Sequence, residues 1–327
     1  MRRGGSLALA FAAALVGCAE ALPPPPRVPE ARVEAEAPSP PAFPLERLAD
    51  PAALGIGVVE LGALRASPYG EAADEALARV LAPDEAIDVL DVVERTERAL
   101  LSIRTATSDS YVGVAILRGR FAPGDAARLA GASGASVVPF LPDSVVARGE
   151  RSDAALVADH TLIVGERALV DAALERQAAG GDGAEPSDPR FASLAAALGW
   201  ASAGVRFAIL PDPSLLRSLE REAFRLPSGA LDGVRGYGLA AEVGEPVRLR
   251  AVLFADTATR LVVNGLLEAE LARASEDDRV RARGLDALAG RARPGLEGEM
   301  LRLDLELGAD EAIRLLGGRT MPRPVDP

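Results

Sequence analysis

The sequence has very few of the residues on which common catalytic chemistries depend. Its 327 residues include one cysteine, Cys18, one histidine, His160, and no lysine. A single thiol excludes an intramolecular disulfide, and a single imidazole excludes any metal site that needs two histidines. Without lysine, the phosphate-binding sequence G-x-x-x-x-G-K is impossible. The sequence therefore predicts no cofactor and no metal site.

Aromatic residues and excess positive charge are also lacking. Aromatic side chains make up 4% of the chain, and the formal net charge at pH 7 is −12. An acidic surface repels a phosphate backbone, and the scarcity of aromatic residues leaves little on which bases could stack. We therefore expect no nucleic-acid partner.

No hydrophobic run in the sequence is long enough to cross a membrane as a helix. The longest, Leu7–Val16, is about half of the roughly 20 residues that a spanning helix needs. It follows the positively charged start Met1-Arg2-Arg3 and precedes the small residue Gly17. This order is typical of an export signal, so we expect the chain to leave the cytoplasm.

The export signal ends in Leu15-Val16-Gly17-Cys18, which resembles the lipobox of bacterial lipoproteins. The resemblance implies that Leu15, Val16 and Gly17 are recognised during processing and that cleavage occurs just before Cys18. It also implies that the Cys18 sulfur receives a diacylglyceryl group and that the new amino terminus is acylated. Two or three acyl chains hold a protein stably on a membrane. The alternative is a fortuitous cysteine in a signal region.

The residues that follow the lipobox bear on sorting. They are Ala19 and Glu20, so the aspartate that retains lipoproteins in the inner membrane in enteric-type sorting is absent. By the same resemblance we expect a cell-envelope protein in the outer membrane, on its periplasmic face or on the cell surface.

Beyond the signal, the composition divides the chain into segments. Prolines are frequent up to Pro44, and a proline-rich tether of this length would reach about 80 Å at about 3.1 Å per residue. The predicted segments are a signal peptide at 1–17, the lipidated cysteine and tether at 18–44, a first α+β unit at 45–199, a second at 200–318, and a flexible tail at 319–327.

The two units show the same predicted order of strand, helix, strand, strand and helix. In the first unit, the strand Gly55–Leu61 precedes a helix that opens at Ser67-Pro68, a hairpin and a helix from Phe121. In the second, the strand Val205–Leu210 precedes a helix at Asp212-Pro213, a hairpin and a helix after Asp256. The predicted hairpins pair Arg95–Arg104 with Tyr111–Arg118, and Val234–Val243 with Val247–Ala255. We expect an α+β fold with two similar βαββα units, whose antiparallel sheets are covered by helices.

Two segments of the second unit have clear periodicity. The helix after Asp256 carries one apolar stripe, which is typical of an amphipathic helix; the stripe consists of Ala258, Leu261, Val262, Gly265, Ala269 and Ala272. The strand Leu301–Leu307 alternates strictly, so its acidic face should meet water and its leucine face a layer of helices.

The body also resembles a broad set of uncharacterised bacterial extracytoplasmic lipoproteins. The resemblance lies in the βαββα order, the strand end Gly119-Arg120-Phe121 and the Val164-Gly165 transition from strand to helix. It implies no activity.

The remaining residues that could act in catalysis or metal binding have simpler structural explanations. His160 could act as a general base, but its position between Asp159 and Thr161 predicts a hairpin turn. Oxygen-rich segments can bind calcium, and two are present: Asp182, Glu185 and Asp188, and Glu276-Asp277-Asp278. Their spacing matches no calcium loop, and acids at a helix start are favoured by the helix dipole. We predict no catalytic and no metal-binding residue.

These observations favour a lipid-anchored, non-enzymatic binding or structural module. Its partners would be the membrane, through the N-terminal lipid, and an envelope protein or a small apolar ligand whose identity the sequence leaves open. Two alternatives stay open: an envelope hydrolase that uses a pair of carboxylates distant in sequence, and a carrier that encloses an apolar ligand between sheet and helices.

Overall fold

The structure is a computed structural model, and the description that follows covers ten stretches of the chain. These are residues 45–74, 87–107, 110–130, 136–141, 144–149, 152–158, 160–179, 188–223, 226–282 and 284–315.

The fold is α+β, and its strands form one antiparallel sheet. The sheet has 12 strands in the order β11-β12-β10-β9-β8-β1-β2-β3-β7-β6-β5-β4. The strands are β1 Gly55–Val59, β2 Thr96–Thr107, β3 Ser110–Gly119, β4 Ser136–Leu141, β5 Ser144–Arg148, β6 Asp153–Val157, β7 Thr161–Gly165, β8 Val205–Ile209, β9 Val234–Glu242, β10 Val247–Ala255, β11 Pro294–Glu297 and β12 Met300–Leu307.

The strands of the two expected units meet at the pair β1 and β8, which are the first strands of those units. They run antiparallel, with Gly55 opposite Ile209 and Val59 opposite Val205. Outward from this pair, β2 and β3 follow on one side and β9 and β10 on the other. The predicted βαββα order therefore recurs on the two sides of a shared centre, and strands from both expected units belong to one continuous sheet.

Besides the helical residues 70–74, ten α-helices lie among the described residues, together with a 3-10 turn at Leu45–Leu48 and a π-helical segment at Leu219–Ala223. The helices are α1 Leu61–Arg65, α2 Ile87–Glu94, α3 Pro123–Leu129, α4 Arg167–Ala178, α5 Pro189–Leu198, α6 Pro213–Ser218, α7 Thr257–Glu276, α8 Asp278–Ala282, α9 Asp286–Arg291 and α10 Ala309–Leu315. None of the helices in these ranges combines the length and the hydropathy needed to cross a membrane.

The main core lies on one face of the sheet. There Val58, Leu100 and Ile116 of neighbouring strands pack in one buried cluster with Leu174 of α4 and Leu194 of α5. On the opposite face, α2 and α3 cover the outer strands of the first half, and α9 and α10 cover β10 and β12. Burial of apolar surface on both faces provides the main stabilisation of such a sheet.

Most of the predicted strands and both predicted hairpins are confirmed. The hairpins β2–β3 and β9–β10 have the expected partners. In β12, Asp304 and Glu306 are exposed and Leu307 is buried, as the alternation predicts. Two edge strands, β4 and β11, and the helices α1, α2 and α9 were not predicted.

Three details differ from the sequence-based predictions. The fully buried residues of β2 are Thr96, Leu100 and Ser102. Ala99, Leu101 and Ile103 of the predicted face are only partly buried. The described helical residues after Pro68 begin at residue 70, slightly later than predicted, although Ser67 accepts a hydrogen bond from the Tyr69 backbone as an N-cap residue does. The third difference concerns α7, whose predicted apolar stripe is exposed at all six positions.

Candidate functional site

A carboxylate cluster joins α2 and α3. Asp125 accepts hydrogen bonds from the Arg95 guanidinium and from the Ala122 backbone, and it also pairs with Arg128. The hydrogen bond from Arg95 is the main reason why the pKa of Asp125 lies far below its usual range. The carboxylate is therefore ionised at neutral pH, and its role is to hold the two helices together.

A second cluster connects β5, β6 and α4. Asp153 pairs with Arg148 and Arg167, and Arg148 also pairs with Asp171. Burial alone would raise the pKa of Asp153, but the hydrogen bonds from Arg148 and Arg167 outweigh burial and lower it. This carboxylate is also held in its charged form.

A third polar cluster surrounds the N-terminus of α6. The side chain of Asp212 accepts hydrogen bonds from the backbone of Ser214 and Leu215, which makes it the N-cap. It also accepts hydrogen bonds from the Thr105 and Tyr111 hydroxyls, at 2.6 and 3.1 Å. Burial would raise the pKa of Asp212, but the hydrogen bonds lower it.

These clusters share one property that bears on catalysis. Among the described residues, every carboxyl group with a clearly shifted pKa has that pKa lowered. A carboxyl group that acts as a general acid near neutral pH needs a raised pKa. The clusters are thus suited to structural ion pairing and capping.

Two depressions of the described surface are open to solvent. One, of about 490 Å³, is lined by Leu54, Arg104, Val112 and Glu166, among others. The other, of about 360 Å³, lies at the β11–β12 edge beside Arg302 and Asp304. The first has a largely apolar lining and the second a largely polar one, but neither is enclosed in the way that is typical of small-molecule sites.

A row of exposed apolar residues lies on one side of α7, which we call the α7 outer face. It consists of the six residues of the predicted stripe: Ala258, Leu261, Val262, Gly265, Ala269 and Ala272. Leu261 is 58% exposed and Val262 is 46% exposed. Isolated exposed apolar residues are common, whereas these six lie in one row along a 20-residue helix.

The start of α7 is well fixed to the sheet. Asp256 caps the helix by accepting a hydrogen bond from the Thr259 backbone at 2.8 Å. The guanidinium of Arg260 donates to the carbonyl oxygen of Gly298, in the turn between β11 and β12. The outer face is therefore presented by a helix that is anchored at its N-terminal end.

The residues assigned from the lipobox, Leu15, Val16, Gly17 and Cys18, lie outside the described residues. His160 is exposed and occupies the turn between β6 and β7, as predicted; its backbone carbonyl accepts a hydrogen bond from the Gly119 backbone at 3.0 Å. The hairpin-turn interpretation accounts for the position of His160.

The two oxygen-rich segments have capping roles where the structure describes them. Asp188 caps α5 by accepting a hydrogen bond from the Arg190 backbone, whereas Asp182 and Glu185 lie outside the described residues. Glu276 ends α7, and Asp277 accepts a hydrogen bond from the Val280 backbone at the start of α8. Within the described ranges, no group of three or more His, Cys, Asp or Glu side chains is arranged to hold a metal ion.

Comparisons with known proteins identify the fold. No family model matches the chain, and no curated protein matches its sequence. Crystal form IV of a protein designated TP0453 has a similar structure, with a TM-score of 0.51 and 14% identity over 84% of this chain and 97% of that one. Crystal form III gives 0.50 and 12% over 84% and 98%. At such low identity the similarity supports the fold alone.

Proposed function

We propose that this chain is a lipid-anchored lipoprotein of the bacterial cell envelope that acts as a non-enzymatic binding or structural module. The observation that carries the anchor is the sequence Leu15-Val16-Gly17-Cys18 directly after a short basic start and an apolar run. In this proposal, Cys18 is the first residue of the mature protein and the only point of lipid attachment. The absence of aspartate after Cys18 favours the outer membrane.

The binding role rests on the α7 outer face. It offers a fixed apolar surface on a helix that is tied to the sheet through Asp256 and Arg260. The charged clusters around Asp125 and Asp153 are engaged in internal ion pairs, so they are less suited to bind a partner. A tether of about 80 Å would let the body present this face away from the membrane to which it is anchored.

The two alternatives from the sequence gain no specific support from the described residues. A carboxylate-based hydrolase needs one carboxyl group with a raised pKa, whereas the shifted ones here are lowered. An apolar carrier needs a dry cavity between sheet and helices, whereas the two depressions are open and partly lined by charged side chains.

Detergent phase partitioning of protein expressed in a bacterium with a lipoprotein pathway tests the anchor. The native chain should enter the detergent phase and incorporate a radiolabelled fatty acid, whereas Cys18→Ser should do neither. Ala19→Ser, one residue further on, keeps the thiol and is the matched control that should behave like the native chain. Equal partitioning of the native chain and Cys18→Ser would show that the lipid assignment is wrong.

A further inference from the structure

The two halves of the sheet correspond strand by strand on either side of the pair β1 and β8. In that pair Gly57 lies opposite Phe207, and a row of paired residues crosses the sheet outward from each of them. On the side of Gly57 the row consists of Leu101, Ala115, Val164 and Ala154. On the side of Phe207 it consists of Leu239, Ala251, Leu303 and Pro294. The row matches β2 with β9, β3 with β10, β7 with β12 and β6 with β11.

The correspondence ends at β6 and β11. In the first half, β5 pairs antiparallel with the outer edge of β6 along the whole of both strands, from Ser144 opposite Val157 to Arg148 opposite Asp153. In the second half, β11 is the last strand of the sheet, and no described residue pairs with its outer edge. The strand β5 therefore shows what the matching edge of this molecule accepts, which is one antiparallel strand.

Two matching leucines differ in exposure accordingly. Leu156 of β6 and Leu296 of β11 occupy the same position, since each lies opposite a buried leucine of the neighbouring strand, Leu162 and Leu301. Leu156 has β5 beside it and packs in the buried cluster under α3, and it is 2% exposed. Leu296 has no strand on its outer side and is 48% exposed. An added strand would remove part of this apolar surface from water, which favours binding.

The backbone of β11 is also oriented to receive a strand. Glu297 and Met300 face each other across the two-residue turn between β11 and β12, and such a pair is hydrogen-bonded across the turn. Because antiparallel pairing alternates along a strand, the N–H and C=O of Leu296 point away from β12. Leu296 therefore offers a donor and an acceptor at the outer edge, whereas Pro294, which has no N–H, offers only an acceptor.

Charge indicates what the added strand carries. In the first half, Arg148 of β5 forms an ion pair with Asp153 of β6. The position that matches Asp153 is Arg293, which directly precedes Pro294. Arg293 is exposed, its guanidinium donates to the carbonyl oxygen of Ala292, and within the described part of the chain no carboxylate pairs with it. The sign of the charge is reversed relative to β6, so the complementary strand has an acid where β5 has Arg148.

We propose that the outer edge of β11 is a docking site for one extended strand of a partner polypeptide, which adds antiparallel to the sheet. By correspondence with β5, this strand places an apolar residue opposite Leu296 and an acidic residue three positions later, opposite Arg293. Main-chain hydrogen bonds give such strand addition its affinity, and alternate side chains give it specificity. The inference rests on the binding role proposed above, but it involves neither the lipid anchor nor the α7 outer face.

The surface beside β11 leaves room for the side chains of such a strand. The open depression of about 360 Å³ at this edge is lined by Arg293, Gly295, Leu296 and Glu297, together with Arg302 and Asp304 of β12. Both arms of the expected contact, the apolar one at Leu296 and the charged one at Arg293, therefore border the same depression. A partner strand can reach them without displacing a described element.

Two occupants from this chain itself fit less well. The β11 of a second copy ends at Glu297, so the position that would lie opposite Arg293 falls in its turn, where Glu299 already pairs with Arg235. The last nine residues of the chain contain Pro322, Pro324 and Pro327, and proline cannot donate to a strand ladder. A separate polypeptide is the occupant that matches the edge.

Peptide binding tests the site in the mature chain with Cys18→Ser, which has no thiol for lipidation. The probes are two fluorescent synthetic peptides, one with the sequence of residues 143–149, which includes β5, and one with the same sequence and Arg148→Glu. Fluorescence anisotropy should show saturable binding of the Arg148→Glu peptide, about fivefold tighter than that of the native peptide, because an exposed ion pair replaces a contact of like charges. In the Arg293→Glu chain this preference should reverse.

Amide hydrogen exchange locates the bound peptide. The outward N–H of Leu296 should exchange at least tenfold more slowly when the Arg148→Glu peptide is bound, whereas the N–H of Glu297, which faces β12, should change little. Leu296→Lys should weaken peptide binding at least fivefold. Val138→Lys is the matched control, because Val138 is also about half-exposed but lies in β4 at the other edge of the sheet; it should bind the peptide like the parent.

Three results would overturn the proposal. The first is the absence of saturable binding, or a peptide preference that Arg293→Glu leaves unchanged. The second is loss of binding in Val138→Lys but not in Leu296→Lys, which would place the peptide at β4. The third is a concentration-dependent dimer of the chain without peptide that Leu296→Lys abolishes, which would assign the edge to a second copy. None of these results alters the detergent partitioning of the native chain, so the docking site and the lipid anchor are tested separately.

Discussion

Asp125 accepts hydrogen bonds from both terminal nitrogens of Arg95, at 2.7 and 2.9 Å, and only 2% of its side chain is exposed. The pair fixes the start of α3 to the residue that follows α2. A buried carboxylate with such a partner should be important for stability, because removal of its charge leaves the guanidinium without its main counterion.

The first prediction concerns this pair. Asp125→Asn should lower the free energy of unfolding by about 2–3 kcal/mol, somewhat below the range for fully buried pairs because Arg95 is partly exposed. Urea unfolding of both proteins measures the difference. Asp91→Asn, which removes a half-exposed partner of the same arginine, is the control and should cost at most about 0.5 kcal/mol. Equal losses of unfolding free energy in the two variants would contradict the prediction that the buried carboxylate contributes more than the half-exposed one.

The same pair predicts how stability depends on pH. The pKa of Asp125 is lower in the folded protein than its value of about 3.9 in an unfolded chain. Its stabilising effect is therefore fully present above about pH 4 and is lost as the pH falls through the folded pKa. The stability difference between the native chain and Asp125→Asn should be constant from pH 7 to pH 5 and should shrink at pH 3. An increase in this stability difference on acidification would contradict the prediction.

Two glycines with opposite surroundings give a third prediction. A β-carbon at Gly165 would lie 2.4 Å from the carbonyl oxygen of Gly113 and 2.8 Å from the Val114 Cα, so Gly165→Ala should destabilise the fold. Gly265→Ala, with open space around the new methyl group, should stabilise the monomer by about 1 kcal/mol. Thermal unfolding at low protein concentration compares the two variants, and a destabilised Gly265→Ala would show that α7 is packed differently.

The sequence predicted much of this fold because its strands carry clear signals. Hairpins such as β9–β10 combine apolar strands with a connection that contains Gly244 and Pro246. The edge strands were missed for physical reasons: β4 is interrupted by Pro139, and β11 begins with Pro294-Gly295. Periodicity gave the stripe on α7 correctly, but it could not tell which of two apolar sides faces the sheet. That choice depends on tertiary packing with β10 and β11.

Of the candidate site, the sequence predicted the residues but not their exposure. All six residues of the α7 outer face were part of the predicted stripe, and Gly265 within it was a visible signal, because glycine in a helix interior usually has a packing reason. The ion pair between Arg95 and Asp125 joins residues 30 positions apart, and that between Arg167 and Asp153 joins residues on different elements, 14 positions apart. Such long-range pairs cannot be read from local patterns.

A fourth prediction tests the sorting assignment. Ala19→Asp places an aspartate directly after Cys18, the position that retains lipoproteins in the inner membrane in enteric-type sorting. Expressed in a bacterium of that type, the native chain should fractionate with the outer membrane on a sucrose gradient, and Ala19→Asp should move to the inner membrane. Ala19→Ser, which changes the same residue without introducing an aspartate, is the control and should fractionate like the native chain. If the native chain fractionates with the inner membrane, the outer-membrane proposal is wrong.

The most direct test of the lipid anchor is the mass of the mature N-terminal peptide. The native protein is purified from bacterial membranes in detergent, digested, and analysed by tandem mass spectrometry. We predict a chain that begins at Cys18, with a diacylglyceryl group on its sulfur and an acyl group on its amino terminus. A peptide that continues through Gly17-Cys18 with a free thiol, or a mature terminus after Cys18, would contradict the account.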